Sequence, residues 1–420
     1  MNHRIKITLL GGSALATPKL FEAFGKNNAR AAYDVVLLGH DQAKLAAVQH
    51  LSQAIISSFK DLDVQVHTST DEQEALTDAN LILNQIRVGG LQSRVYDETF
   101  PLKFNIPGEE SVGPGGFNSA LRNVPVSLDY ARKVEKLAPH ATFVNLTNPS
   151  SIVQYAIQHY TSLKVIGICD MPVTLMMGLS QALEIPVPEL EFDWMGMNHF
   201  GWLTDVRHHG QSRMAEAMAR LEKIPNLGTD LEIVRALGVI PANYLKYYFH
   251  RDRYIEKAKG HPVRGEELIQ INAEILQKMK AWKPGDSIAF LEERGAVWYE
   301  KIIAPTLLML TEKLSGELIL SVTNDRAVRW LPEDAIIEVP VPFKDGVLQA
   351  PRINEVPLDV QSMIIRNCAF EMLTAQAVVE RDKAKASRAL LANLLVDNYT
   401  QVTGILDEIW ENRSSSSSPK

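Results

Sequence analysis

Two short stretches of the chain carry side chains able to bind a metal and move protons. Cys169-Asp170 follows the aliphatic run Lys164–Ile168, and Asn198-His199 closes a second apolar run. A thiolate with an imidazole makes two ligands for a divalent transition ion, and the remaining positions stay open to substrate or water, as a catalytic site requires. A core cysteine and a hydrogen-bonded histidine fit the same residues. In Pro241-Ala242-Asn243-Tyr244-Leu245-Lys246-Tyr247-Tyr248 the spacing puts Tyr244 and Tyr248 on one helical face. Packing with the hydroxyl at the surface is the ordinary alternative for a tyrosine. Arg87 ends a strand-like run, with Arg94, Arg122 and Arg264 available to join it. Guanidinium forks suit phosphate or carboxylate oxygens, and they serve equally in salt bridges. Asn148, in Thr147-Asn148-Pro149, offers an amide to a sugar hydroxyl or a cofactor carboxamide, or simply turns the chain.

A second chemistry is indicated near the amino terminus. The first apolar run leads into Gly11-Gly12-Ser13, and glycines at a strand-to-helix turn let backbone N–H groups approach a pyrophosphate. The third glycine of the dinucleotide fingerprint is missing, so a plain tight turn also accounts for the segment. After the second run, Leu38-Gly39-His40-Asp41 offers Asp41 as the carboxylate for a ribose hydroxyl and places Gly39 where that acid usually stands.

These residues need a scaffold, and the first half of the chain alternates short aliphatic runs with longer stretches of helical periodicity. Expected strands are Ile5–Leu10, Val35–Leu38, Val64–Thr68, Leu81–Asn84, Thr142–Asn145 and Val165–Ile168, with helices such as Gln42–Phe59 and Val126–Leu137. The fold class is α/β, a Rossmann-like parallel sheet followed by a second, helix-rich α+β domain. Residues 1–170 form the expected dinucleotide-binding domain and 171–413 a domain for substrate, metal and oligomerisation. Phe100–Gly116, with three prolines and four glycines, reads as a functional loop too broken for a helix. Further strands are expected over Glu189–Met197, Glu317–Val322 and Ala335–Pro342, and two long helices over Gln361–Glu411.

The length, 420 residues, exceeds the roughly 100–200 of one domain. Apolar residues make up 46% and charged residues 22%, a globular composition with a sizeable core. A formal charge of −7 provides no basic field for a nucleic-acid backbone. The two cysteines, Cys169 and Cys368, support no disulfide framework, so a reducing, cytoplasmic setting is expected. No apolar run reaches the ~18 residues of a membrane span. The serine-rich residues 414–420 read as a disordered tail.

Taken in order, Ile86-Arg87-Val88-Gly89-Gly90, Gly108-Glu109-Glu110, Gly113-Pro114-Gly115-Gly116, Thr147-Asn148-Pro149, Cys169-Asp170-Met171-Pro172, Asn198-His199-Phe200-Gly201-Trp202 and Tyr244-Leu245-Lys246-Tyr247-Tyr248 resemble glycoside hydrolase family 4 over nearly the whole chain. The resemblance implies NAD and a divalent metal, with manganese expected. It implies hydride removal from carbon 3 of the sugar, acidification of the carbon 2 proton, elimination, water addition and re-reduction. In that scheme Cys169 and His199 hold the metal, Tyr244 is the base at carbon 2 and Asp170 protonates the leaving oxygen. Gly11, Gly12, Ser13 and Asp41 meet the cofactor. Arg87, Asn148 and Arg264 meet a small glycoside with an anion at carbon 6.

Asp170 looks like the 6-phospho-α-glucosidase branch, whereas Arg87–Leu91 and Glu293–Tyr299 look more like the 6-phospho-β-glucosidase branch. The foremost reading is therefore a 6-phospho-α-glucosidase, with the β activity and a 6-sulfonated glucoside as alternatives. The resemblance also implies a homodimer or homotetramer. A 2-hydroxy acid dehydrogenase, which shares the βαβ half, is the reading from a different class.

Overall fold

The computed structural model describes residues 4–410; the expected tail lies outside them. Thirteen strands form one sheet: β1 (Ile5–Leu10), β2 (Tyr33–Leu38), β3 (Val64–Ser69), β4 (Leu81–Asn84), β5 (Thr142–Asn145), β6 (Lys164–Gly167), β7 (Leu190–Met197), β8 (Phe200–His208), β9 (Gln211–Ser212), β10 (Ile240–Pro241), β11 (Gly316–Thr323), β12 (Ile336–Lys344) and β13 (Val347–Leu348). The first six are parallel in the order β3-β2-β1-β4-β5-β6, the dinucleotide-binding arrangement, with the switch point between β1 and β4. The central strands bury their aliphatic side chains on both faces, as helix-covered parallel strands must.

The second half does not build a separate sheet. β11 pairs antiparallel with β6, β12 with β11, and β7 with β12, so the sheet continues through the boundary expected at residue 170. The helix Leu358–Glu380 packs back on Gly113–Leu137 and Ser150–Tyr160. One register row crosses the whole sheet: Leu38, Leu10, Asn84, Asn145, Gly167, Ser321, Glu338 and Gly196. Gly11, Gly12, Ser13, Asp41, Arg87, Asn148, Cys169, Asp170 and His199 each follow a member of this row by one to three residues.

Two expectations fail. The glycine-rich end of Phe100–Gly116 opens the helix Gly113–Leu137, after a 3-10 turn over Phe100–Phe104. Pro114 sits in the first turn, where its missing N–H costs nothing. The glycines there serve close packing, since a Cβ at Gly115 would lie 2.1 Å from the Glu109 carbonyl oxygen. The carboxyl-terminal stretch forms three helices, Leu358–Glu380, Lys383–Ala392 and Tyr399–Ile409. Asp382 and Asn398 divide them by capping: each side-chain oxygen accepts from backbone N–H groups of the next first turn.

Gly12 packs so tightly that a Cβ there would lie 2.6 Å from Leu37 Cα, whereas one at Gly260 would meet nothing. Gly12→Ala should therefore cost about 1–3 kcal/mol in urea unfolding, and Gly260→Ala should stay within about 0.5 kcal/mol of the parent.

Candidate active site

Gly167 ends β6, and Cys169 caps the helix Asp170–Leu183, its sulfur accepting from the Met171 N–H at 3.4 Å. Gly196 lies on the same row three strands away, three residues before His199, and the Asn198 side chain next to His199 reaches back to hydrogen-bond Cys169. Glycine is required at both ends of this arrangement. A Cβ on Gly167 would strike Gln154, and one on Gly196 would strike the Gly201 backbone at 2.3 Å. His199 itself turns the β7–β8 hairpin with a left-handed φ of 60°.

The His199 ring is buried, and burial together with Arg94 lowers its pKa to about 3, leaving a neutral imidazole. Its Nδ1 lies 2.8 Å from Ser111 Oγ, which reserves Nε2 for a ligand. Ser111 in turn hydrogen-bonds Glu109 through its hydroxyl and its backbone N–H. Tyr244 stacks on His199 with ring centroids 3.9 Å apart and planes at 11°. Tyr248, four residues on, meets Phe200 edge-on at 4.9 Å, so the expected face exists and grips two consecutive hairpin residues. Burial and the Glu109 carboxylate push the Tyr244 phenol up, and Arg94 opposes them.

Burial raises the Cys169 thiol, while the Met171 N–H and a hydrogen bond from the Asn198 side chain favour the thiolate. Asn198 is held from two sides. Its N–H donates to Ser151 Oγ at 3.1 Å, and its side-chain Nδ2 lies 3.5 Å from Glu338 Oε1. Glu338, on the register row, also accepts from Trp194 Nε1 at 3.0 Å, and burial raises its pKa to about 8. Behind it, burial raises Glu371 to about 8 as well; Ser151 and Asn367 hydrogen-bond it. A neutral imidazole, a thiol with two donors on its sulfur and an oriented outer shell fit a divalent ion.

These residues border a cavity of about 700 Å³ whose wall includes Arg94, Glu98, Glu109, Asp170, His199, Tyr244, Lys246, Tyr247, Tyr254 and Arg264. Asp170, the first residue of its helix, is half-buried, and burial raises its pKa. Lys246 sits over the rings of Tyr247, Tyr254 and Tyr244 at 5.1, 5.4 and 6.0 Å. Arg264 faces the cavity and pairs with Glu267 at 2.7 Å.

Arg87 and Asn148 do not line this cavity. Arg87 pairs with Glu110, which also holds Arg94 at 2.7 Å, and Arg94, like Arg264, stands on the wall. The Asn148 carbonyl accepts from Asn123 Nδ2 at 2.9 Å.

The dinucleotide candidates lie at the switch point. Gly11 has a φ of 81°, and its carbonyl accepts from Gln85 Nε2 at 3.3 Å. Gln85 also accepts from the Tyr299 hydroxyl at 2.8 Å, tying the glycine turn to a distant helical segment. The chain from Gly11 to Thr17 makes consecutive turns before the helix Pro18–Lys26, and the missing Cβ at Gly11 and Gly12 lets that turn pack against Gln85 and Leu37. Ser13 lies in the first of these turns, its Oγ 3.4 Å from where a Gly39 Cβ would be. Asp41 caps the helix Gln42–Ser58, accepting from Lys44 N at 3.0 Å, and its other oxygen pairs with Lys44 Nζ at 3.1 Å. Its carboxylate is thus already engaged.

The family model "Family 4 glycosyl hydrolase" matches residues 6–185, and the model for its C-terminal domain matches residues 194–396. The chain belongs to glycosyl hydrolase family 4. It is 30% identical to a probable 6-phospho-beta-glucosidase of Bacillus subtilis, over 98% of this chain and 97% of that one. It is 27% identical to 6-phospho-alpha-glucosidase 1 of Lacticaseibacillus paracasei, over 83% of each. The 6-phospho-beta glucosidase from Thermotoga maritima, solved with manganese, NAD+ and glucose-6-phosphate, superposes with a TM-score of 0.89 at 26% identity, covering 98% of this chain and 99% of that one. This family 4 chain is a glycoside hydrolase, which sets aside the dehydrogenase reading. Among its described residues no helix is long and apolar enough to cross a membrane.

Sequence reasoning gave no role to Ser111, although it lies within the motif stretch Gly108–Gly116, and missed Glu338; Ser111 meets His199 directly and Glu338 meets Asn198 beside it. Because Glu338 reaches Cys169 through Asn198, Glu338→Leu should weaken manganese binding about 10–100-fold, read by electron paramagnetic resonance. Glu338→Gln, which keeps an acceptor, should weaken it far less, and NAD binding should be unchanged in both.

Proposed function

We propose that this enzyme hydrolyses glucosides bearing an anion at carbon 6, foremost 6-phospho-α-glucosides, using NAD and a divalent ion such as manganese. One observation carries the reading: Asp170, Tyr244, His199 and Arg264 share the wall of one cavity, and the buried Cys169 precedes Asp170 and is hydrogen-bonded by Asn198. Cys169 and His199 would hold the ion, and the turn Gly11-Gly12-Ser13 the pyrophosphate. When bound, the ion supplies Lewis acidity at the oxygens on carbons 2 and 3, and the dinucleotide accepts and later returns a hydride at carbon 3.

With carbon 3 oxidised, Tyr244 takes the proton from carbon 2 as a phenolate, the form that the charge of an ion held by Cys169 and His199 would favour against the burial that raises its pKa. Asp170 gives its proton to the glycosidic oxygen as the bond from carbon 1 breaks. Water then adds across carbons 1 and 2, the two side chains recover their protonation, and carbon 3 is reduced, so no net oxidation results. Arg264 and Arg94 supply guanidinium donors for the carbon 6 anion, with Arg87 steadying Arg94 through the shared Glu110. Asn148 and Asp41, which the family resemblance assigns to sugar and ribose hydroxyls, stand outside the cavity wall.

The α anomer rests on Asp170 as proton donor. The β anomer is the second reading, supported by the β-glucosidase names of the Bacillus and Thermotoga relatives. Two free buried cysteines support a cytoplasmic setting. Exposed Leu358, Ile365 and Leu391 on the carboxyl-terminal helices support a homodimer or homotetramer.

The deciding assay offers nitrophenyl α- and β-glucosides, each with and without a 6-phosphate, together with NAD, manganese and a reductant. Cleavage of the 6-phospho-α compound alone is expected. Cleavage of only the β compound moves the assignment to the second reading, and silence on all four removes the phosphate and directs the search to a 6-sulfonate. Asp170→Asn should lose about 10²–10⁴-fold on a sugar leaving group and much less on nitrophenol; equal losses would make Asp170 structural. Tyr244→Phe should stop exchange of the carbon 2 proton with deuterated solvent. Cys169→Ser should raise the manganese concentration needed for activity while leaving NAD affinity intact.

A further inference from the structure

The β7–β8 ladder that carries His199 at one end carries a different set of ligands at the other. Glu189 ends the 3-10 turn Val187–Glu189 just before β7, and His208 ends β8 opposite Leu190. His209 and Gly210 form the two-residue turn into β9, with φ of 50° and 73°. Positive φ at both turn residues is the hairpin geometry that matches strand twist. Neighbouring side chains on a strand point to opposite faces. Here the left-handed turn at His209 brings its ring beside that of His208, with centroids 4.0 Å apart and planes at 39°. Glu189 Oε2 lies 3.3 Å from His208 Nε2. Ligand atoms of all three residues lie within 4.8 Å of one another, the one such group among the described residues.

We propose that Glu189, His208 and His209 form a second metal site, distinct from the catalytic one, that takes zinc, nickel or copper(II). Two imidazoles and one carboxylate suit these ions, whereas magnesium, calcium and manganese favour oxygen ligands. Ligand bonds of about 2.0–2.1 Å put donor atoms about 3.4 Å apart around a tetrahedral ion. Small side-chain rotations therefore close the set, and the fourth position opens to solvent. Eight residues of strand, Phe200 to Arg207, separate this site from His199, about 26 Å at the usual rise. An ion here braces the 3-10 turn against the hairpin, and it stabilises the fold by mass action. A thiolate and an imidazole also attract zinc, so zinc at this second site is read with the catalytic pair disabled.

The test uses the full chain stripped with a chelator. Zinc is titrated by calorimetry and copper(II) is followed by electron paramagnetic resonance. In a Cys169→Ser background, which disables the catalytic pair, one zinc equivalent is expected, with copper(II) showing nitrogen hyperfine coupling from two imidazoles. His209→Asn keeps a residue that favours the left-handed turn, and it should weaken that equivalent at least tenfold; Glu189→Gln should weaken it to a smaller extent. Both variants, made in the parent chain, should keep manganese-dependent glycosidase activity. Zinc binding that His209→Asn leaves unchanged, or no zinc equivalent in the Cys169→Ser background, overturns the proposal. The readout is metal binding away from the cavity, so it stands or falls independently of the glycosidase reading.

Discussion

The structure depends on one continuous register row across a sheet that changes from parallel to antiparallel. Gly167 of β6 pairs with Ser321 of β11, Ser321 with Glu338 of β12, and Glu338 with Gly196 of β7. Because strand pairing fixes position to a single residue, a slip anywhere along the row would turn side chains to the opposite face and carry Cys169 away from His199. Two glycines keep the row tight where the ligands leave it, since a Cβ at either would collide with its neighbours.

The row is also unusually polar for the middle of a sheet. Asn84 donates to Asn145 at 2.9 Å, Asn145 donates to Ser150, Gln154 donates to the Ser321 carbonyl, and Glu338 accepts from Trp194 and Asn198. Buried polar groups are tolerable when they hydrogen-bond, and a network fixes orientations that apolar packing leaves loose. Burial raises the pKa values of two carboxyl groups in this layer, Glu338 and Glu371, and so favours their neutral forms. The charged groups gather instead at the cavity rim. There Arg94 is shared between Glu98 and Glu110, and Glu110 is shared with Arg87. Such sharing offsets the desolvation of each ion and holds the guanidinium on the wall in one orientation.

Most strands of the parallel half were legible because a buried strand is a short aliphatic run whatever surrounds it. Ile5–Leu10, Leu81–Asn84 and Thr142–Asn145 match the observed strands residue for residue. The misreadings share a cause. Gly113-Pro114-Gly115-Gly116 contains helix breakers by local propensity, yet it begins a helix because the turn must pack against the Glu109 and Asp97 backbone. The carboxyl-terminal helices were merged because capping by Asp382 and Asn398 is local and leaves the apolar period on either side intact.

The sequence by itself determined the chemistry on offer and the family: a cysteine followed by an acid, an asparagine-histidine pair and a tyrosine run, in the order in which the chain resembles family 4. It also determined the parallel half of the sheet, since alternation of aliphatic runs and helices is a one-dimensional signal. Only the tertiary structure decided that the second half extends the same sheet, that Arg94 and not Arg87 reaches the cavity, and that Ser111 and Glu338 orient the candidate ligands. Contacts such as Ser111 to His199, 88 residues apart, and Asn198 to Glu338, 140 apart, leave no local pattern in the chain. They exist because backbone hydrogen bonding sets the strand register, and the register sets which distant side chains meet.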